Sequence, residues 1–232
     1  MSYEFNKKKH HHSFGGKPLY GTTTVLGVIN KPALISWSAD MAVKHIEENF
    51  PTAEQIMNGF VFADLFKDAR KAHTKRKTEA GVIGTDVHEL IEDWIKHGTD
   101  YVGSDEQTLQ MFNNFKEWAT NNEVSFIDSE RNVYSEVMWI GGIVDFVCII
   151  GGKRYIGDIK TSSGIYPEHF LQMAAYDMCL QELGEPPAEA YVIVNIKKDG
   201  TYKTKERYDL DSLQNGFKHA LGLYKTLQSI EI

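Results

Sequence analysis

The pattern of apolar and polar positions changes period along the chain, and the changes mark its elements. Residues 1–30 alternate only weakly and end in the Thr-rich run GTTTVLGVIN, which reads as one or two short strands or an extended arm. From Lys31-Pro32 the period becomes helical: residues 33–49 carry apolar side chains at 34, 35, 37, 41, 42, 43 and 46, then stop at Phe50-Pro51. A second helix is predicted over 52–73, with Thr52 as its cap and Gln55 at the capping-box spacing. Gly81 and Gly84 predict a break, after which Val87, Leu90, Ile91, Trp94 and Ile95 form the apolar stripe of a helix over 85–97. A further amphipathic helix is expected over 104–122, then strand-like segments at 124–127 and 130–139.

The sharpest signal is a hairpin over residues 142–160, two β-forming runs joined by Gly151-Gly152. If those glycines are the whole loop, paired residues sum to 303 and Asp145 stands opposite Asp158. A three-residue loop would shift the register by one. Side chains repeat every second residue along a strand, so Lys160 shares the face of Asp158. Like charges directly across a strand pair are destabilising. Two carboxylates and a lysine on one patch of sheet therefore suit a metal site better than a structural role. Downstream, a helix is predicted from Pro167 to Leu183, stopped by Gly184 and Pro186-Pro187. A buried strand over 190–197, an Asp199-Gly200 turn, a strand over 202–208 and a closing helix over 210–228 complete the chain. The expectation is a single α/β domain over 1–232, with a helical lobe at about 31–122 and a sheet with flanking helices over 123–232.

Composition narrows the class. At 232 residues the chain can hold one substantial core or one core with an inserted lobe. Its apolar fraction of 42% and charged fraction of 25% are ordinary for a globular protein. No apolar run approaches the roughly 20 residues that span a bilayer, and no apolar segment follows the basic N-terminus as in a secretory signal. Cys148 and Cys179 lack metal-ligand spacing and read as buried free thiols in a reducing compartment, so a cytoplasmic protein is expected. The formal net charge of -7 argues against coating nucleic acid by bulk positive charge. Lys67, Arg70, Lys71, Lys75, Arg76 and Lys77 nevertheless crowd into eleven residues, either a solvated helix end or a phosphate-contacting track. Residues 10–12 are all histidine, but adjacent strand side chains alternate faces and do not converge on a metal. His88, beside its apolar stripe, reads by itself as a packed or exposed residue.

The order of four short motifs carries a resemblance. Gly84 and His88 form G-x-x-x-H, Gly142 and Asp145 form G-x-x-D, Asp158 to Thr161 read D-x-K-T, and Gln172 with Tyr176 form Q-x-x-x-Y. The ordered set resembles the RecB-like branch of the PD-(D/E)XK nuclease superfamily, which includes CRISPR-associated exonucleases and the mitochondrial genome maintenance exonuclease. The likeness runs from about Gly81 to the C-terminus. The proline of the superfamily name is Val144 here. The four-cysteine iron–sulfur cluster of several relatives has no counterpart in a chain with two cysteines.

The resemblance implies a restriction-endonuclease-like core, a mixed central sheet flanked by helices, with a helical N-terminal lobe. It makes His88 a metal ligand with Asp145 and Asp158, adds the Ile159 carbonyl as a further ligand, and suggests Glu130 as an additional site residue. One or two Mg²⁺ or Mn²⁺ ions suit such oxygen-rich donors. Lys160 is implied to orient the attacking water. Gln172 and Tyr176 would position the site and the DNA backbone, Tyr176 through its hydroxyl or by stacking. Arg70, Lys71, Lys75, Arg76 and Lys77 would line a path for one DNA strand, with Trp37 or Lys31 at its mouth. The implied activity is a metal-dependent DNA exonuclease of phage or bacterial recombination or repair, acting on single strands or ends and leaving 5′-phosphates. A nuclease module dependent on a helicase or integrase, a non-catalytic nucleic-acid-binding protein on the same fold, and an ordinary domain with an Asp–Lys–Asp ion pair are the alternatives.

Overall fold

The computed structural model describes residues 2–101, 103 and 105–230, which divide into two compact units, Asn30–Thr85 and the remainder. The chain begins in the larger unit with three short antiparallel strands, β1 (Tyr3–Asn6), β2 (His11–Phe14) and β3 (Lys17–Pro18). The strand β4 (Tyr20–Gly21) and a one-turn helix, α1 (Thr22–Val25), follow. Strands of two to four residues are too short for a period-two pattern to be readable, which is why more structure is present here than the sequence suggests.

The smaller unit is helical. Helix α2 (Pro32–Glu48) has proline in its first turn, and α3 (Ala53–Met57) starts with the expected capping box. Gln55 N–H donates to Thr52 Oγ1 at 3.3 Å, and Thr52 N–H donates to Gln55 Oε1 at 2.8 Å. The helix expected over 52–73 is not continuous, because Gly59 at φ +87° turns the chain after α3. A new helix, α4 (Phe62–His97), then runs 36 residues without interruption. The break expected at Gly81 and Gly84 is absent. Each helical glycine costs about 1 kcal/mol relative to alanine, a penalty that a helix of this length absorbs. From Asp86 onward α4 belongs to the larger unit.

In the larger unit α5 (Glu106–Asn121) is capped by Asp105, whose carboxylate accepts the Thr108 N–H at 2.9 Å; the expected start at Ser104 lies outside the described residues. The two segments expected at 124–127 and 130–139 are one strand, β5 (Ser125–Ser135), followed by a turn into β6 (Ile140–Ile150). A two-residue turn, Gly151 at φ +55° and Gly152 at φ +80°, leads into β7 (Lys153–Lys160). Both glycines occupy the left-handed region that this hairpin turn demands. Pairs such as Val147–Ile156 keep the sum-303 register. Helix α6 (Pro167–Glu182) makes the crossover to β8 (Ala190–Ile196), which lies parallel to β7. Strand β9 (Tyr202–Arg207) returns antiparallel, and α7 (Leu210–Ser229) follows.

The result is a mixed α/β architecture, a six-stranded mixed sheet flanked by helices. Helices α6 and α7 bury Met173, Cys179, Leu180, Phe217 and Leu221 against Val144, Val147, Ile156 and Ile193. Phe115 and Trp118 of α5 join Phe126 and Phe146 in a separate aromatic cluster. Cys148 and Cys179 are both free and buried. Among the described residues no helix is long and apolar enough to cross a membrane.

One topological detail positions the site. A strand has two edges, and β5 pairs along one edge of β6 from Ile140 to Ile149. The other edge is divided between β4, at Ile140 and Gly141, and β7, from Phe146 to Ile150. Residues 142–145 lie in the gap between these two neighbours, with backbone groups facing neither strand. The gap ends at Asp145.

Candidate metal centre

Asp145 sits where the strand pattern is irregular. Val144 and Val147 pack in the same core cluster although they are three residues apart, while Phe146 packs among the aromatics. Ser129 and Arg131 of β5 pair with Phe146 and Val144, so Glu130 stands across from Asp145. Glu130 adopts φ +48°, a left-handed conformation that costs a non-glycine residue about 1–3 kcal/mol. Such strain persists only where surrounding structure imposes it. Ser129 Oγ–H donates to the Asp145 carbonyl at 3.0 Å, fixing the backbone at the same point.

The β6–β7 ladder stops at Phe146–Gly157, one rung short of the expected Asp145–Asp158 pair. In place of that rung, Asp145 Oδ2 accepts the backbone N–H of Ile159 at 2.7 Å. The Ile159 carbonyl, expected as a ligand, lies 3.1 Å from His88 Nε2. Val87 and Ile91, both fully buried, anchor this part of α4 and turn His88 toward the sheet. If Nε2–H donates to the carbonyl, Nδ1 keeps its lone pair, and Nδ1 lies 3.7 Å from Asp145 Oδ2 and 3.8 Å from Glu130 Oε1. One donor atom from each of His88, Glu130 and Asp145 lies within 4.8 Å of the others. A ligating histidine whose second ring nitrogen is tied to a carbonyl is the usual arrangement at metal sites. Burial pulls the His88 pKa down, but Asp145 and Glu130 outweigh it and leave the pKa raised.

Asp158, expected as a ligand with His88 and Asp145, is not among the three residues whose donor atoms converge; its partner is Lys160. Asp158 Oδ1 accepts from Lys160 Nζ at 2.6 Å, while Oδ2 is buried without a hydrogen bond from any described residue. Burial raises the Asp158 pKa, with Lys160 opposing and Asp145 adding to the rise. Burial would strip the proton from Lys160, but Asp158 and Asp145 reverse that and hold it as an ammonium. A buried acceptor left unpaired costs about 1–3 kcal/mol. A hard divalent cation beside Oδ2 would remove that cost and offset the adjacent carboxylate charges. The imidazole and oxygen donors therefore fit Mg²⁺ or Mn²⁺.

Tyr176 lies on the opposite side of the gap. A Cβ on Gly142 would stand 2.2 Å from its Cε1, so only glycine lets the ring cover β6 there. Gln172 Nε2–H donates to the Tyr176 hydroxyl at 3.0 Å. Burial, then Asp145 and Asp158, push the phenol pKa up. At 4% exposure the ring is not available to stack on a substrate base. Arg70, Lys71, Lys75, Arg76 and Lys77 are all exposed on α4 within the helical unit.

Asn195 belongs to none of the four motifs. It is buried on β8, and its amide donates to the Lys160 carbonyl at 3.1 Å and the Ser162 carbonyl at 2.8 Å. It thereby holds the end of β7 that carries the lysine. A polar residue alone in the run AYVIVNI was the available signal.

The chain matches no known family model and no curated protein. Among solved structures it is similar to an alkaline exonuclease (LHK-Exo) from Laribacter hongkongensis, at 14% identity over 63% of this chain and 84% of that one, with a TM-score of 0.38. A second structure of that exonuclease, in complex with dAMP, gives 13% identity, 63% and 85% coverage and a TM-score of 0.38. A phage related exonuclease from Haemophilus somnus 129PT gives 12% identity, 82% and 94% coverage and a TM-score of 0.34.

Proposed function

We propose that this chain is a divalent-metal-dependent deoxyribonuclease of the PD-(D/E)XK type, RecB-like branch. It would act as an exonuclease on single-stranded DNA or DNA ends in phage or bacterial recombination or repair. The observation that most supports this reading is the gap in β6 pairing, beside which His88, Glu130 and Asp145 bring donor atoms within 4.8 Å of one another, with the Asp158–Lys160 pair on β7. His88, Glu130 and Asp145 would hold the cation, with Asp158 Oδ2 as a further donor. When bound, the cation supplies Lewis-acid polarisation of the phosphate and charge to stabilise the leaving oxygen.

The chain supplies the rest. Lys160, kept protonated by the two aspartates, brings a fixed positive charge to the developing phosphorane and a donor that orients the attacking water. Asp145, tied to Ile159, holds the opened end of the hairpin in one geometry. The Tyr176 hydroxyl, fixed by Gln172, offers a donor to a phosphate oxygen. Exposed cations on α4 would contact the DNA backbone.

Purified protein incubated with end-labelled single- and double-stranded DNA in Mg²⁺, Mn²⁺ or EDTA tests the reading, beside Asp158→Ala and Lys160→Ala. Metal-dependent release of label, lost in both variants, is expected. Release that survives both substitutions would refute the site, and no cleavage of any DNA would refute the activity.

A further inference from the structure

The helical unit turns most of its large apolar side chains outward. Of its described residues only Pro51, Leu65 and Ala69 are buried, yet it holds nine of the seventeen exposed large apolar side chains among the described residues. Single exposed apolar residues are ordinary, but a contiguous set marks an interaction surface. Here they are contiguous: Phe62 has the rings of Phe50, Phe60 and Phe66 around it, with centroids 6.3, 5.3 and 6.3 Å away. Phe50 is 63% exposed, and Met57 at the end of α3 is 87% exposed. Aromatic residues and methionine are the types enriched where proteins meet.

Beside these rings lies a groove of about 640 Å³ between the end of α2, α3 and the first turns of α4. Phe50, Phe60 and Leu65 give it apolar walls, and Glu48, Asp64 and Asp68 give it acids; no lysine or arginine lines it. Asp64 and Asp68 stand one turn apart on α4 and form no ion pair with any described residue. The helix N-terminus favours Asp64, but that effect fades within the first turn and leaves Asp68 without it.

We infer that this groove docks a basic amphipathic helix of a partner protein, its apolar side chains against Phe50, Phe60 and Leu65 and its lysines or arginines over Asp64 and Asp68. The acids decide the class of occupant. They repel a phosphate backbone and an anionic lipid surface. A two-fold contact between copies would bring three acids of one groove to three of the other. The walls decide the occupant's form. They are helices and the short connections between them, so an extended peptide finds no open strand edge to join. A helix brings its anchors at i, i+3 and i+4 to one groove. The ring contacts hold Phe50 and Phe60 in place before docking, which lowers the ordering cost. The groove shares no residue with the metal centre or the basic run of α4, so the inference does not depend on the nuclease reading.

The test is fluorescence anisotropy with the full chain at about 0.15 M salt and three labelled synthetic peptides. These are a Leu/Lys helix with one apolar face, its Leu/Glu counterpart, and the Leu/Lys composition scrambled to disperse that face. Only the first should bind. Phe50→Ala should weaken it about 30-fold, the effect of losing one interface anchor. Asp64→Lys with Asp68→Lys should abolish it and let the Leu/Glu helix bind instead. Glu4→Lys with Glu117→Lys makes the same change in net charge outside the groove and should leave affinity unchanged. All five positions are exposed, and the acid reversal keeps the test decisive if Phe50→Ala does not fold. Leu/Lys binding that survives the groove variants, an equal loss in the control variant, equal binding of the scrambled peptide, or no binding by the unaltered chain would overturn the inference. A dimer of the unaltered chain in sedimentation velocity that Phe50→Ala disperses would assign the groove to a second copy and overturn it as well.

Discussion

Asp145 replaces a rung of the sheet with its own side chain, its Oδ2 accepting the Ile159 N–H at 2.7 Å just beyond the last β6–β7 pair. One carboxylate thus closes the hairpin and faces His88. Asparagine can accept the same hydrogen bond but lacks the charge. Asp145→Asn should therefore keep a near-native melting temperature while reducing metal affinity and cleavage at least roughly 10–100-fold. Calorimetric metal titration and the end-label assay check this. A variant that unfolds, or that binds metal as the native chain does, contradicts the division of roles.

Asp158 Oδ2 is buried without a partner, so metal binding should stabilise the fold. A ligand at a hundred times its dissociation constant contributes about 2.7 kcal/mol. Thermal melts should shift upward with Mn²⁺ or Mg²⁺ and return with EDTA. In Asp158→Asn most of that shift should vanish.

Gly142 and Tyr176 are coupled by contact. A Cβ at 142 meets the ring at 2.2 Å, and it meets a ring carbon before the hydroxyl. Gly142→Ala should destabilise by about 1–3 kcal/mol through overpacking. Tyr176→Phe should not relieve it, whereas Tyr176→Ala should, and urea melts of the double-mutant cycle measure the difference.

Asn195 supplies a prediction about positioning. Its loss leaves the Lys160 and Ser162 carbonyls without their donor, costing about 1–3 kcal/mol. Asn195→Ala should lower kcat while leaving KM nearly unchanged, since Lys160 and not substrate contact is disturbed. Asn195→Asp, which cannot donate, should be at least as impaired, and Asn195→Gln is the variant expected to recover part of kcat.

His12 predicts an acid limb of stability. It is buried above Gly141, where a Cβ would stand 2.7 Å from its own, and its Nδ1 lies 2.7 Å from the Tyr3 hydroxyl. Burial, with His11 and His10 adding, lowers its pKa from 6.5 to about 4. The unfolded chain then takes up the proton first. The stability held by neutral His12 is complete above about pH 6.5 and lost as pH falls toward 4. At about 1.4 kcal/mol per unit, the contribution is on the order of 1–3 kcal/mol. The difference in unfolding free energy between native chain and His12→Gln should follow this slope; a flat difference between pH 4 and 7 would contradict it.

Much of the sheet-bearing half was legible because its determinants are local. Two glycines set the Gly151-Gly152 turn, and the turn sets which residues pair, so the register of β6 with β7 follows from a short stretch. The Thr52 box and the Pro167 helix start are equally local. Where a local signal misled, as at Gly81 and Gly84, the continuous helix had more to gain than two glycines could cost.

The sequence also determined which chemical groups are present: two aspartates and a lysine around a hairpin, a histidine on an upstream helix, a Gln–Tyr pair on a later one. It could not decide their mutual geometry. The division of one β6 edge between β4 and β7, the left-handed backbone at Glu130 and the hold of Asn195 on the end of β7 each join residues far apart in the chain. Periodicity records which face of its own element a residue occupies. Which carboxylate takes a backbone N–H and which keeps an unpaired oxygen depends on contacts between elements, and those exist only once the sheet has formed.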